Sequence, residues 1–186
     1  MTLTQSEILD FWFGGARSER QKQWFEKDAE FDVRCARFTA AIRHARAGHY
    51  DHWALTPKGA LALIVLLDQL SRNVFRGSAE AFAADHHALE IARRSIANGL
   101  DAALTAVERM FVYLPFEHDE TMEDQIESVR LFETLRAELG AETVDYAHRH
   151  LDVIREFGRF PHRNAALGRT STPEEEAYLA RPGSGF

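Results

Sequence analysis

A run of eight apolar residues, Ala60 to Leu67, limits the folds open to this chain more than any other feature. Thr56 and Pro57 predict a helix that begins just before it. A threonine hydroxyl caps a first turn, and a proline at the first helical position needs no N–H. A helix that is apolar on every side is buried on every side. Because a bilayer span takes roughly 20 apolar residues, we expect this helix to lie in a protein core and not in a membrane.

The same helix becomes polar directly after the apolar run. Asp68 and Arg72 are four residues apart, as are Gln69 and Asn73, and side chains at that spacing are neighbours on a helix. One interpretation is a buried structural ion pair at the helix end. Removing one partner of such a pair strongly lowers the stability of the fold. The other is that Asp68, Arg72 and Asn73 line a pocket that binds an anion such as a carboxylate or a phosphate.

The composition is that of a folded protein, with 186 residues, 45% of them apolar. We expect a single helical domain over residues 1–186, with 181–186 as a flexible tail. The net charge of −7 argues against a general nucleic-acid surface, which needs a positive field. Cys35 is the single cysteine, so it forms no internal disulfide, and the N-terminus lacks the basic start of a signal peptide. These features predict a cytoplasmic protein.

The remaining pattern is helical throughout. Capping boxes at Thr4–Glu7 and Thr105–Glu108 predict two helix starts, and Asp85 is the predicted cap of another helix. We further predict that Pro115 ends the helix after Thr105 and that one long helix runs from about 122 to 139. No stretch alternates with period two over the length of a strand. The chain is therefore predicted to be all-α, with seven to nine helices in stacked antiparallel hairpins.

A second polar segment, Glu117 to Glu120, follows Pro115 and is predicted to be a loop. A histidine beside carboxylates is suited to general acid–base chemistry near neutral pH. This pattern makes Glu117 and His118 candidate catalytic residues. The alternative is a solvated loop in which Asp119 or Thr121 caps the next helix.

A third polar segment lies near the C-terminus. It contains four candidate ligand-binding residues, Arg159, His162, Arg163 and Asn164, among aromatic and proline residues. Arginine stacked on an aromatic ring and forked towards an anion is a common recognition device. The alternative is that Arg159 and Arg163 bind the C-terminal carbonyls of neighbouring helices.

Metal and cofactor sites have little support in the sequence. His86 and His87 are adjacent and point about 100° apart on a helix, so they cannot easily bind one metal ion together. His148 and His150, two residues apart, also point in different directions. Zinc-protease, P-loop, dinucleotide-binding and serine-hydrolase motifs are absent from the sequence. We therefore predict no metal and no cofactor.

Five short sequence motifs, in order along the chain, carry a resemblance to a known family. They are Ile8–Phe13, Trp24–Phe25, Leu67–Gly77, Tyr113–His118 and Phe157–Asn164. Over about residues 5 to 180 the chain resembles the bacterial domain-of-unknown-function family 924. The resemblance implies an all-α fold similar to tetratricopeptide repeats, and it implies no activity.

Three hypotheses for function follow. The first is a binding module whose groove holds an anionic small molecule or an acidic peptide end. The second is a small-molecule enzyme in which Glu117 and His118 act as acid or base on a substrate held by Arg72 and Arg163. The third is an adaptor that binds a protein partner. The first two predict that the three polar segments meet in one cleft.

Overall fold

The computed structural model describes residues 3–14, 24 and 28–184, and within these ranges the chain forms helices and no strand. The α-helices are α1 (Gln5–Phe13), α2 (Ala29–Cys35), α3 (Thr39–Arg46), α4 (Pro57–Ile64), α5 (Ser71–Val74), α6 (Asp85–Ala97), α7 (Ala106–Glu117), α8 (Met122–Glu133), α9 (Arg136–Leu139), α10 (Ala141–Phe157), α11 (Asn164–Leu167) and α12 (Pro173–Leu179). Nine of the helices in the described ranges have seven residues or more. The prediction of an all-α chain with seven to nine helices is confirmed.

The apolar run forms the centre of the molecule, as predicted. Thr56 caps α4, its hydroxyl accepting a hydrogen bond from the N–H of Gly59 at 3.2 Å, and Pro57 occupies the first turn. Every residue from Ala60 to Leu67 is fully buried. Helices α1, α6 and α7 pack around α4. The central helix is therefore enclosed by other helices on several sides.

The central helix contains a π-helical segment, Val65–Leu70, between α4 and α5. Helical geometry is continuous from Pro57 to Val74, because the residues that flank this segment keep right-handed helical dihedrals. A π-turn accommodates one more residue per turn than an α-helix and is frequent at functional sites. Asp68 lies in this turn with its side chain completely buried. The sequence did not predict the π-turn.

An aromatic cluster docks α1 against α7. Phe111 makes edge-to-face contacts with Trp12, Phe13 and Trp24, with ring centroids 5.7, 5.3 and 4.8 Å away. The indole N–H of Trp24 donates to the carbonyl oxygen of Trp12 at 2.9 Å. The predicted capping box of Thr4 and Glu7 is present at the start of α1. The helix predicted at Trp24–Phe25 lies partly outside the described residues, since Phe25 is not among them.

Gly59 marks a very close approach between α4 and the 3-10 turn Asp51–Leu55. A Cβ atom at Gly59 would lie 2.1 Å from the carbonyl oxygen of Trp53. No side chain fits at that distance, so the glycine allows the turn to pack directly on the helix backbone.

Two predicted helix boundaries are wrong. Pro115 does not end α7, which continues to Glu117 although proline removes one backbone hydrogen bond. Residues 110–117 are all buried, and this packing holds the last turn in place. The predicted single helix from 122 to 139 is divided at Thr134 and Leu135 into α8 and α9. Thr121 caps α8, as one of the two predicted alternatives.

Residues after α10 form a C-terminal segment, in which Phe160 packs with Val153 and Ile154 of α10 in a small apolar cluster. Polar contacts join this segment to the rest of the protein. Glu120 accepts the backbone N–H of Phe160 at 2.8 Å and binds Arg169 through both carboxylate oxygens, at 2.7 and 3.0 Å. The segment is therefore fixed against the turn that follows α7.

The predicted flexible tail is only partly described. The carbonyl oxygen of Gly183 accepts a hydrogen bond from Arg149, and residues 185 and 186 lie outside the described residues. The flexibility of this tail stays a prediction. Among the described helices, none is long and apolar enough to cross a membrane.

Candidate functional site

The three polar segments meet around five side chains, which we term the polar cluster. These are Asp68 and Arg72 of the central helix, His118 at the end of α7, Arg163 of the 3-10 turn Pro161–Arg163, and Asp85 at the start of α6. The side chains of Arg72, Asp85 and His118 remain 19, 16 and 14% exposed. The cluster is thus largely buried but still in contact with solvent.

Asp68 is the buried centre of the cluster. Its Oδ1 lies 2.8 Å from Nδ1 of His118 and 3.1 Å from Nη1 of Arg72, and its Oδ2 accepts from Nε2 of Gln69 at 2.6 Å. Burial alone would raise the pKa of Asp68, but the charge of Arg72 and the hydrogen bonds from His118 and Gln69 outweigh it and hold that pKa below its usual range. Asp68 is therefore an ionised carboxylate with both oxygens hydrogen-bonded. The predicted ion pair of Asp68 and Arg72 is present.

The hydrogen bond to Asp68 fixes the tautomer of His118. An ionised carboxylate only accepts hydrogen bonds, so we assign the proton of the neutral ring to Nδ1. Nε2 then carries the free lone pair. Burial and the positive charge of Arg72 lower the pKa of His118 against the opposing effect of Asp68. The imidazole is therefore a neutral base at physiological pH.

Asp85 links the two arginines of the cluster. It binds Nη1 and Nη2 of Arg72 through its two oxygens, both at 2.9 Å, and Oδ2 also lies 3.3 Å from Nη1 of Arg163. The guanidinium of Arg163 lies over the rings of Phe82 and Phe160, 4.9 and 4.5 Å from their centroids. Burial and the nearby charge of Arg72 lower the pKa of Arg163 to about 10.

Glu117, His150 and His162 form a second layer beside the cluster. Nδ1 of His150 lies 2.9 Å from the carbonyl oxygen of Tyr146 and 3.4 Å from Oε1 of Glu117. The His118 and His150 rings are 6.5 Å apart between centroids. Burial lowers the pKa of His150 well below its usual value, and burial with the charge of Arg163 lowers that of His162 to about 3.

The prediction that Glu117 lies on a loop with His118 is wrong. Because α7 continues through Pro115, Glu117 occupies the last helical turn, with its side chain only 6% exposed. It faces His150, whereas His118 faces Asp68. The two candidate catalytic residues are adjacent in sequence but have different partners.

Three other predicted residues lie in separate networks. Asn73 does not pair with Gln69; it donates to Asp32 at 2.7 Å. Arg159 and Asn164 both donate to Glu175, Arg159 through Nε and Nη2 at 2.6 and 2.8 Å. These contacts join helices to each other and do not place the three side chains at the polar cluster.

Sequence reasoning missed Asp85 and His150. Asp85 was predicted to be a helix cap, but Ala84 holds that position and Asp85 is the first residue of α6. That interpretation left no reason to connect it with Arg72 or Arg163. His150 had a usable signal, because it lies three residues after Ala147 and four before Ile154 on the buried face of α10. A histidine within an apolar stripe deserved inclusion among the candidates.

The described part of the chain contains no group of three or more His, Cys, Asp and Glu side chains placed to hold a metal ion. The carboxylate oxygens of the polar cluster are instead bound by histidine, glutamine and arginine side chains. What the cluster offers chemically is a neutral imidazole lone pair next to two guanidinium groups, at a site that solvent can reach.

Comparisons with known proteins support the resemblance seen in the sequence. A family model described as bacterial protein of unknown function (DUF924) matches residues 8–183. A solved structure of a protein of unknown function from Agrobacterium tumefaciens is similar, with a TM-score of 0.83 and 39% sequence identity. That likeness covers 95% of this chain and 96% of the other. No curated protein matches. The chain therefore belongs to the bacterial domain-of-unknown-function family 924.

Proposed function

We propose that this protein is an enzyme acting on a small polar molecule, with His118 as the general base. The observation that carries the proposal is the 2.8 Å hydrogen bond between Nδ1 of His118 and the fully buried carboxylate of Asp68. A buried carboxylate in this position orients the imidazole and stabilises the imidazolium that forms when Nε2 takes a proton. The pair thus supports proton transfer at Nε2.

The electrostatic setting suits this role. A base is useful only if it is unprotonated at the working pH, and burial together with Arg72 keeps the pKa of His118 low enough for that. Asp68 works in the opposite direction by stabilising the protonated ring. The neighbouring guanidinium groups would stabilise negative charge that develops on the substrate.

The contacts of His118 also favour one type of chemistry over another. Among the described residues, the hydrogen bond of its ring goes to Asp68 and not to a serine, threonine or cysteine. A side-chain nucleophile activated by the ring is therefore not part of the proposal. The proton that His118 removes would come from water, as in hydrolysis, or from the substrate itself.

A second candidate function is binding without conversion, and one observation favours it. Within the described ranges, Arg163 makes a single hydrogen bond, to Asp85, although a guanidinium has five N–H donors. A ligand could use the remaining donors whether or not it is transformed. The two candidates differ only in the role of His118.

The deciding experiment combines ligand binding with turnover. Mixtures of metabolites would be incubated with the wild type, His118→Gln and the control His148→Gln, whose ring is 48% exposed on α10. Mass spectrometry would detect conversion, and thermal shift would detect binding. We expect conversion that falls at least about 100-fold in His118→Gln, the loss typical of a general base, and is unchanged in the control. Ligands that raise the melting temperature but are never converted would reject the enzyme and support binding without conversion.

The state of the base has its own test, which needs no substrate. Long-range ¹H–¹⁵N correlation spectra of the histidine rings report which nitrogen carries the proton. We expect His118 to be the Nδ1–H tautomer and to stay neutral through the physiological pH range. A ring protonated on Nε2, or charged at neutral pH, would refute the proposed base.

A further inference from the structure

We infer that the ligand of this site carries a single carboxylate, bound by the Nε–Nη2 edge of Arg163. This inference rests on the proposed function only for the location of the site, because a bound carboxylate need not be converted. It names the chemical class of the ligand, which the Asp68–His118 pair does not.

The first support comes from the other arginines of this region. Arg72 holds Asp85, Arg159 holds Glu175 and Arg169 holds Glu120, each through two N–H groups and two carboxylate oxygens. Each of these guanidinium groups already has a bidentate partner. Among the residues that the structure describes, Arg163 instead makes one hydrogen bond, from Nη1 to Oδ2 of Asp85 at 3.3 Å.

The second support is the buried donor on Arg163 itself. The Arg163 side chain is only 7% exposed, and its Nε–H has no hydrogen-bond partner among the residues that the structure describes. Buried polar groups nearly always have a partner, so this N–H is a donor that a bound molecule could satisfy. Stacking over Phe82 and Phe160 fixes the plane of the guanidinium and therefore the direction of its donors.

The third support is the charge of the cluster, which favours a carboxylate over a phosphate. Asp68 and Asp85 balance Arg72 and Arg163, so the four groups together are neutral before any ligand binds. A phosphate dianion would add two negative charges beside Asp85. A carboxylate adds one, and its two oxygens match the parallel N–H groups of one guanidinium edge.

Arg163 and His118 also act on the same region. Arg163 contacts Asp85, which binds Arg72, and Arg72 and His118 both contact Oδ1 of Asp68. A carboxylate bound at Arg163 would place the rest of a small molecule near the imidazole. The proposed anchor and the proposed base would thus serve one substrate.

Acetate is the probe for this inference, because it is the smallest carboxylate. Protein labelled with ¹⁵N-arginine would be titrated with acetate at constant ionic strength, and the Nε–H resonance of Arg163 would be identified by its absence in Arg163→Lys. We expect a saturable shift of this resonance. The dissociation constant, followed in every variant through the Nε–H resonance of the neighbouring Arg72, should be at least about tenfold weaker in Arg163→Gln, since a charged hydrogen-bond donor is lost. It should be unchanged in the control Arg155→Gln, whose side chain is 60% exposed.

Three results would overturn the inference. They are unchanged acetate affinity in Arg163→Gln, equal binding of neutral acetamide, and tighter binding of inorganic phosphate than of acetate. If Arg163→Gln fails to fold, Arg163→Lys keeps the charge but lacks the planar edge, and it should also weaken acetate binding about tenfold. Acetate binding in a protein that converts no metabolite would leave this inference standing and refute the enzyme.

Discussion

Replacing Asp68 by asparagine tests how the polar cluster is held together. The change keeps the size of the side chain but removes the charge that faces Arg72 and the Nδ1–H of His118. The new amide keeps one acceptor oxygen but presents an NH2 donor in place of the other oxygen, which now accepts from His118 or from Gln69. The substitution therefore leaves one pair of buried donors facing each other.

The expected magnitude follows from the burial of Asp68, whose side chain is 0% exposed. Removing one partner of a buried ion pair costs about 3–5 kcal/mol of unfolding free energy. Arg72 retains Asp85, so we expect the lower end, about 3 kcal/mol. Domains are stable by about 5–15 kcal/mol, so the variant should still fold. For a chain of this size, the loss lowers the melting temperature by roughly 6–12 °C.

Asp32→Asn is the matched control. Asp32 also binds an arginine and an amide, Arg76 and Asn73, but its side chain is 22% exposed and that of Arg76 is 42% exposed. Exposed ion pairs contribute about 0–1 kcal/mol. Urea unfolding followed by far-ultraviolet circular dichroism would measure both variants. If Asp68→Asn loses no more stability than Asp32→Asn, the description of Asp68 as a buried, indispensable charge is wrong.

Two further predictions concern the whole fold. The pKa values of His118, His150 and His162 are lowered in the folded protein, that of His162 to about 3, so the unfolded chain binds more protons below pH ~6.5. The unfolding free energy should then fall on acidification by up to ~1.4 kcal/mol per pH unit for each histidine, and a urea series across pH that shows no such slope would contradict these shifts. Gly59→Ala should lose about 1–3 kcal/mol because its Cβ would lie 2.1 Å from the carbonyl oxygen of Trp53, although alanine favours helices elsewhere. Thermal melts would measure the change. A melting temperature of Gly59→Ala equal to or above that of the wild type would show that the turn Asp51–Leu55 moves away freely, and it would contradict this prediction.

Local sequence patterns predicted the helices well. The cap at Thr56 and the apolar run up to Leu67 needed only short-range rules, and both are present as expected. Pro115 is a position at which short-range rules gave the wrong prediction. Its local preference is to stop a helix, but the burial of the last turn of α7 outweighs that preference. That packing involves residues far apart in sequence, which no local pattern contains.

The candidate site was predictable in part. Spacing alone identified Asp68 and Arg72 as a pair, because helical neighbours are fixed by the chain itself. The hydrogen bond from His118 and the contact from Arg163 to Asp85 join residues 50 and 78 positions apart. Such contacts depend on how helices cross. The residue types of the site could therefore be named, but their partners could not.

The π-turn makes the length of the central helix as important as its composition. Each residue of a helix turns its successors by about 100°. Wound as ordinary helix, the same residues would rotate everything downstream of Val65–Leu70, and the guanidinium of Arg72 would no longer point at Asp85. Deleting one residue within this segment would instead let the widened turn relax to ordinary helix, and the downstream residues would keep their direction. The extra residue and the widened turn thus compensate each other, and together they set the angular register of the polar cluster.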